Sequence, residues 1–366
     1  MITVEKVSDK LNLDDFINYP YQLFHQDRYW VPPLKISEKK RFDRVKNPFY
    51  KNFEVKFHLA RNGEKIEGRI ASLYDKRSSK GYFGYLHAID DQDVFDHLFH
   101  QVEMDMSERN IKEITGPVSP SINYEMGVLT AGFEHSPFIM MPYNYDYYDH
   151  NIQRAGYSKV KDFYAYQAHR NEIRLPNKIK LIAERIKNKF NLTLRNPNMN
   201  DFYSEILKIE GVYNDAMSKH WGFVPMDSDE FRHLAKDLRT IIDPKMVFIA
   251  EIDDEPIGFI MCLPDYNEIF KKIQNGRLFP TGIVKLLWSQ KKIKGLRVVT
   301  LGVKNKYQPF GLGSVLYNEA IINMIRSNYE HVEFSWIMED NYKVRKIAEL
   351  IGTRIYKTYR VYGKLL

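Results

Sequence analysis

The chain has 366 residues, 44% hydrophobic, 28% charged and 14% aromatic, enough apolar material for about two to three globular domains and too much for a disordered or fibrous chain. No uninterrupted apolar run approaches the ~18 residues of a membrane helix. The opening MITVEKVSDK lacks a signal-peptide stretch, and the single cysteine, Cys262, excludes an internal disulfide and a thiolate-rich metal site, so a cytoplasmic protein is expected. The formal net charge of +7 favours an anionic partner without choosing among phosphate cofactors, nucleic acid and anionic lipid.

In chain order, residues 11–25 read as a helix, and Trp30-Val31-Pro32-Pro33 as extended chain. Phe53–Ala60, the turn Asn62-Gly63 and Ile66–Tyr74 read as a hairpin. A strand at Tyr82–Ile89, a helix from Asp93 to Glu108, a short strand at 111–115 and a strand at Phe163–Ala168 come next. The second half repeats this order. A helix at 177–189, a strand at Leu192–Arg195 and helices at 201–219 and 229–242 precede strands at Met246–Ile252, Ile257–Leu263 and Arg297–Val303. A helix from Gly313 to Ser327, a strand at His331–Met338, a helix at Tyr342–Ile351 and a strand at Thr353–Gly363 complete the chain. Leu59-Ala60 with Gly68, and Ile249-Ala250 with Gly258, occupy matching places in the two halves, as an internal duplication would leave them. The expected fold is α/β with mixed sheets, in two domains, 1–170 and 171–366. Lys271-Lys272 and Lys291-Lys292-Ile293-Lys294 are the densest basic clusters; they lie among apolar residues and read as solvated helix faces.

The stretch with the clearest chemistry is Val303–Ser314, VKNKYQPFGLGS, which comes after an apolar strand and opens an amphipathic helix. Its glycines permit backbone conformations that leave N–H groups exposed at a helix N-terminus, where the dipole favours a phosphate. It contains no Gly-Lys-Ser/Thr, so it is not a P-loop, and the third glycine of a dinucleotide fingerprint is missing.

Gln308-Pro309-Phe310-Gly311-Leu312-Gly313 resembles the (Q/R)-x-x-G-x-(G/A) loop of the GNAT superfamily of N-acetyltransferases, whose backbone amides hold the pyrophosphate of coenzyme A. Asp253–Leu263 is similar to the family's second and third strands, and Leu301-Gly302-Val303 to the fourth. Glu339-Asp340-Asn341 and the helix to Gly352 are similar to the end of the family's fifth strand and its next helix. The resemblance covers roughly 195–366. It implies acetyl-CoA or a longer acyl-CoA as acyl donor, an amine of unknown identity as acceptor and no metal. It further implies a cofactor site at Leu301, Val303, Gln308, Phe310, Gly311, Leu312, Gly313, Ser314 and Asn341. The first half has Asp90-Asp91-Gln92-Asp93 where the loop would be. Carboxylates there suit the helix dipole and repel a pyrophosphate, so this half resembles a degenerate GNAT-like domain that is structural or shapes the acceptor site. Seven residues after Asn341, where many members carry a tyrosine acid, stands Ala348.

Amine acylation needs a base. On the strand 331–338, alternation sets Val332, Phe334, Trp336 and Met338 on one face and His331, Glu333 and Ser335 on the other, with Glu339 at its end. Glu333 and Glu339 are the candidate bases, or else solvated or ion-paired strand residues. MMPYNYDYY offers Tyr143, Tyr145 and Tyr147 to an acceptor pocket, or to domain packing. The resemblance thus implies an acyl-CoA-dependent N-acyltransferase. A non-catalytic acyl-CoA-binding module and an aminoacyl-tRNA-dependent transferase stand as alternatives; no specific nucleic-acid partner is expected.

Overall fold

Period-two alternation succeeded by a 3.6-period stripe recurs along the chain and builds one run of elements twice. The computed structural model describes residues 1–366, apart from the side chain of Gln274. In chain order the elements are β1 (Ile2–Lys6), α1 (Lys10–Leu23), α2 (Lys35–Arg41), α3 (Phe49–Asn52), β2 (Phe53–Asn62), β3 (Lys65–Asp75), β4 (Lys80–Ala88) and α4 (Gln92–Ser107). Next come β5 (Glu113–Gly116), β6 (Val128–Ala131), α5 (Tyr147–Arg154), β7 (Ser158–His169), α6 (Asn177–Lys189), β8 (Thr193–Arg195), α7 (Phe202–Met217) and α8 (Ser228–Leu238). The chain ends with β9 (Val247–Ile252), β10 (Glu255–Pro264), α9 (Asn267–Phe270), α10 (Thr281–Ser289), β11 (Gly295–Val303), α11 (Gly313–Arg326), β12 (His331–Met338), α12 (Tyr342–Leu350) and β13 (Arg354–Leu365). Several of these are not legible in the sequence. β1, α2 and α5 (ITVEK, KISEKKR, YYDHNIQR) carry too few apolar residues to display a stripe. α3, β6 and α9 have four residues each, and α10 keeps apolar residues on its outer side.

Two compact units result. The first comprises Met1–Phe163, Ile269–Trp288 and Lys357–Leu366; the second comprises Tyr164–Glu268 and Ser289–Tyr356. Within the first, β1, β2, β3 and β4 pair antiparallel in sequence, and β5, reached through α4, pairs parallel with β4. Within the second, β8, β9, β10 and β11 pair antiparallel, and β12, reached through α11, pairs parallel with β11. The strand–helix–strand topology is therefore repeated in full.

The matched glycines serve the same purpose in both units. A Cβ on Gly68 of β3 would stand 2.8 Å from Leu98 Cδ1 and from Val94 Cγ1 of α4. On Gly258 of β10 it would stand 3.1 Å from Gly302 O of β11 and 3.2 Å from Leu316 Cδ1 of α11. Each glycine lets the crossover helix lie close on the sheet. In the first unit α4 is also fastened by charge. Asp105 accepts from His58 Nε2 at 2.7 Å, Ser72 Oγ at 2.6 Å and Lys56 Nζ at 2.8 Å.

Burial alone would raise the Asp105 carboxyl, but the bonds from His58, Lys56 and Ser72 outweigh it and hold the group well below the ordinary carboxylate range. A depressed folded value stabilises the protein above the unfolded value of ~3.9, and that stabilisation disappears as pH falls below it. Asp105→Asn is expected to cost about 3 kcal/mol at neutral pH. The deficit should shrink below about pH 4. Urea unfolding of both proteins across that range tests this.

Candidate active site: a wedge between two parallel strands

The strands β11 and β12 begin as partners and then part. Their register runs from Gly295 opposite His331 to Val298 opposite Phe334, while β11 continues to Val303 and β12 to Met338. On its other side β11 stays paired with β10 as far as Val303 opposite Gly258, with one irregularity between Met261 and Cys262. Among the described residues the β12-facing edge of β11 from Val299 to Val303 has no strand beside it. An unpaired edge of this kind can accept an extended ligand as an added strand.

At the open end lies the glycine loop. Gly311 has φ +78°, a left-handed conformation that a side chain would strain, and Gly313 is the first residue of α11. The two-glycine pattern predicts free N–H groups throughout 308–313, but the loop winds into tight turns that use most of them. Gln308 N–H donates to Lys304 O, Phe310 N–H to Tyr307 O and Gly311 N–H to Gln308 O. Among the described residues those of Leu312 and Gly313 have no partner, at the positive end of α11. The Gln308 side chain braces the loop, donating to Val303 O at 2.9 Å and Ala216 O at 3.4 Å. Ser314 Oγ donates to Gly311 O at 2.7 Å. Phe310 is exposed and packs on Phe190, with Lys189 Nζ 5.3 Å from each ring centre, so a cation stands beside the loop.

The closed end of the wedge holds a buried charged network. Arg297 and Glu333 are register partners with side chains 1% and 0% exposed, Nε to Oε1 3.5 Å. Ser335 Oγ accepts from Arg297 Nε at 2.8 Å and donates to Glu333 Oε1 at 2.5 Å. The Tyr356 hydroxyl of β13 donates to Glu333 Oε2. The Arg297 guanidinium lies 5.0 Å from the centre of the Trp336 ring. Strict alternation predicts Trp336 and Met338 on one face with Val332 and Phe334. The core instead takes Val332, Phe334 and Ile337, as the alternation shifts beyond Ser335, where β12 is no longer paired with β11.

The other residues that the sequence singles out sit around this wedge or apart from it. Glu339 is half-buried just past the end of β12, its carbonyl accepting from Arg345 Nη1 at 2.7 Å. Asn341 caps α12, its side chain accepting from Val344 N–H at 3.4 Å. Ala348 is buried in the second unit's core. Cys262 is buried as well, and burial pushes its thiol up to about 12, which removes it as a nucleophile. In the first unit the hydroxyls of Tyr143, Tyr145 and Tyr147 are engaged with Asp27 Oδ2, Leu23 O and Ala88 O, and the rings of Tyr143 and Tyr145 pack around Phe24. There β4 likewise outruns its pairing with β5 after Tyr82. The N-terminus of α4, however, is occupied by its own Asp91, which accepts from Asp93 N–H at 2.9 Å. Among the described residues, His169, Glu330 and His331 could offer ligand atoms to a metal, within 4.8 Å of one another. Glu330 already pairs with Lys294 Nζ at 2.7 Å, and His169 Nδ1 accepts from Asn171 N–H.

Arg297 and Tyr356 were missed by sequence reasoning. The signal for Arg297 was present: one arginine inside the apolar strand GLRVVTLGV requires a buried counter-charge. Tyr356 stands among several tyrosines of β13, and nothing local distinguishes it.

Residues 209–352 match the acetyltransferase (GNAT) family. Two curated relatives extend along the whole chain. One is protein YghO of Escherichia coli, 34% identical over 97% of this chain and 93% of the relative. The other is the bacterial ceramide synthase of Caulobacter vibrioides, 34% identical over 100% and 98%. This chain belongs to the GNAT family. Its fold matches, at 10% identity and a TM-score of 0.58, a tandem GNAT protein from the clavulanic acid biosynthesis pathway, covering 100% of this chain and 98% of that one. The chain also spans 38% of a fungal multi-domain GH3 β-N-acetylglucosaminidase that carries a glucosamine N-acetyltransferase region, at 13% identity and a TM-score of 0.58. Membership makes the protein an acyltransferase-fold protein of a family that takes acyl-CoA as donor. No described helix is long and apolar enough to cross a membrane.

The buried network permits a test independent of any substrate. Arg297→Met leaves the Glu333 carboxylate buried without its cation and is expected to cost about 3–5 kcal/mol. Glu333→Gln, which keeps an acceptor for Ser335 and Tyr356, should cost less. Urea denaturation of the two variants decides the order.

Proposed function

We propose that this protein is an N-acyltransferase that moves a fatty acyl group from acyl-CoA to the primary amine of a long-chain amino alcohol. The observation that carries the transferase reading is the unpaired edge of β11 running toward the two free N–H groups of Leu312 and Gly313. An extended pantetheine arm can pair with the backbone at Leu301 and Val303, while the pyrophosphate takes the helix start. Gln308 and Ser314 hold the loop's shape, Phe310 and Lys189 flank it, and Asn341 stands at the start of α12. The acceptor class is argued from the Caulobacter relative, which is named a ceramide synthase and aligns end to end. A ceramide is the fatty amide of a long-chain amino alcohol.

The reaction forms a C–N bond at the thioester carbonyl and breaks the C–S bond. The leaving thiolate is a weak base, since an unperturbed thiol has a pKa of ~8.5. An alkylammonium of pKa about 10.4 must first lose a proton. The lack of tyrosine at 348 matters less than the presence of a base. Glu339, half-buried at the end of β12, takes that proton; Glu333 acts through Tyr356, whose phenol it orients.

Incubation with a long-chain acyl-CoA and a long-chain amino alcohol, read by mass spectrometry, should yield the amide and free CoA. Glu339→Gln should lower kcat by at least ~10²-fold with acyl-CoA affinity nearly unchanged. Gly311→Val should weaken CoA binding about tenfold in calorimetry through strain at its left-handed φ. Tight CoA binding without product for any amine would overturn the enzymatic reading and leave an acyl-CoA-binding module. Unchanged CoA affinity in Gly311→Val would remove the loop from the site.

A further inference from the structure

The segment 269–294 carries seven basic residues and no acidic one, as much positive charge as the formal excess of the entire chain. Within it α10 is amphipathic with its apolar side outward. Gly282 is buried and Ile283 and Leu286 are half-buried. Val284, Leu287 and Trp288, spaced i, i+3 and i+4, are 52%, 59% and 78% exposed, and Phe279 just before the helix is 67% exposed. Large apolar side chains are seldom presented together on a face that meets only water.

The cations around this face are not committed to carboxylates. Lys285 Nζ donates to Lys272 O at 2.8 Å and Lys271 Nζ to Ser136 Oγ at 2.7 Å; among the described residues, Lys271, Lys272, Arg277 and Lys285 have no acidic partner within ion-pair distance. Lys291 and Lys292 come next in sequence, within four residues of Trp288. An outward stripe of Trp, Leu and Val bordered by lysines fits the boundary of an anionic bilayer, where the indole and aliphatic groups enter the acyl region and the ammonium groups meet lipid phosphates. A protein partner large enough to cover the stripe would need a complementary acidic rim; a bilayer supplies both apolar depth and negative charge from one surface.

We infer that α10, with Lys271, Lys272, Arg277 and Lys285 of the same unit, forms a peripheral docking surface for anionic lipid membranes. The surface stands on its own residues, so vesicle binding without any substrate tests it separately from the acyl-transfer reading.

The full-length protein should co-sediment with phosphatidylcholine vesicles containing about a third phosphatidylglycerol and bind pure phosphatidylcholine at least tenfold more weakly, with binding to the mixture falling as salt rises. Leu287→Ser combined with Trp288→Ser should reduce partitioning at least ~10-fold while leaving the urea midpoint unchanged, because both side chains are already exposed. Trp288 fluorescence, isolated by difference against Trp288→Phe, should shift blue on vesicles and be quenched by brominated lipid. Equal binding by the double variant, or no preference for anionic vesicles, would overturn the inference. So would lipid-free self-association that the double variant abolishes, since the stripe would then be an interface between copies.

Discussion

The site depends on two parallel strands that cease to be partners. Backbone groups in a sheet interior are normally satisfied from both sides, and β11 is satisfied from both sides only up to Val298. Beyond that residue one row of backbone groups faces a gap, where the proposed acyl-CoA arm would find main-chain hydrogen-bond partners. The gap is maintained by the closed end. Arg297, Ser335, Glu333 and Tyr356 form a network whose charges are too deeply buried to tolerate a missing member, so the strands are fixed where they separate.

The same topology appears in the first unit, but its electrostatics at the crossover helix are reversed. The start of α11 presents a glycine loop with two unused N–H groups, whereas α4 starts with an aspartate that uses the N–H two residues on. A carboxylate that caps a helix occupies the donor an incoming phosphate would need and adds repulsion. The two units thus share a topology and differ at the start of the crossover helix by a few side chains. The shared part is the packing solution: Gly68 and Gly258 each remove a Cβ where the crossover helix approaches the sheet.

The basic excess of the chain likewise has an address. Averaged over the sequence it is modest, and it could be assigned to any anionic partner. Seven basic residues and no acidic one fall in 269–294, the segment that contains α10 and its exposed Val284, Leu287 and Trp288.

The sequence by itself determined the repeated strand–turn–strand unit, the helix after each, the glycine loop before Gly313 and the aspartates at 90–93. Each is written in neighbouring residues through turn chemistry and hydrophobic period, so no long-range information is required. It also determined that position 348 offers no hydroxyl. Tertiary structure alone decided which loop N–H groups stay free, since that depends on how tightly the turns from Lys304 to Gly311 wind. It alone brought together Arg297, Ser335, Glu333 and Tyr356, because their contacts join residues 38 and 23 positions apart on three different strands. It alone turned the apolar side of α10 outward: a helical stripe records which residues share a face, and only tertiary packing decides which face is buried.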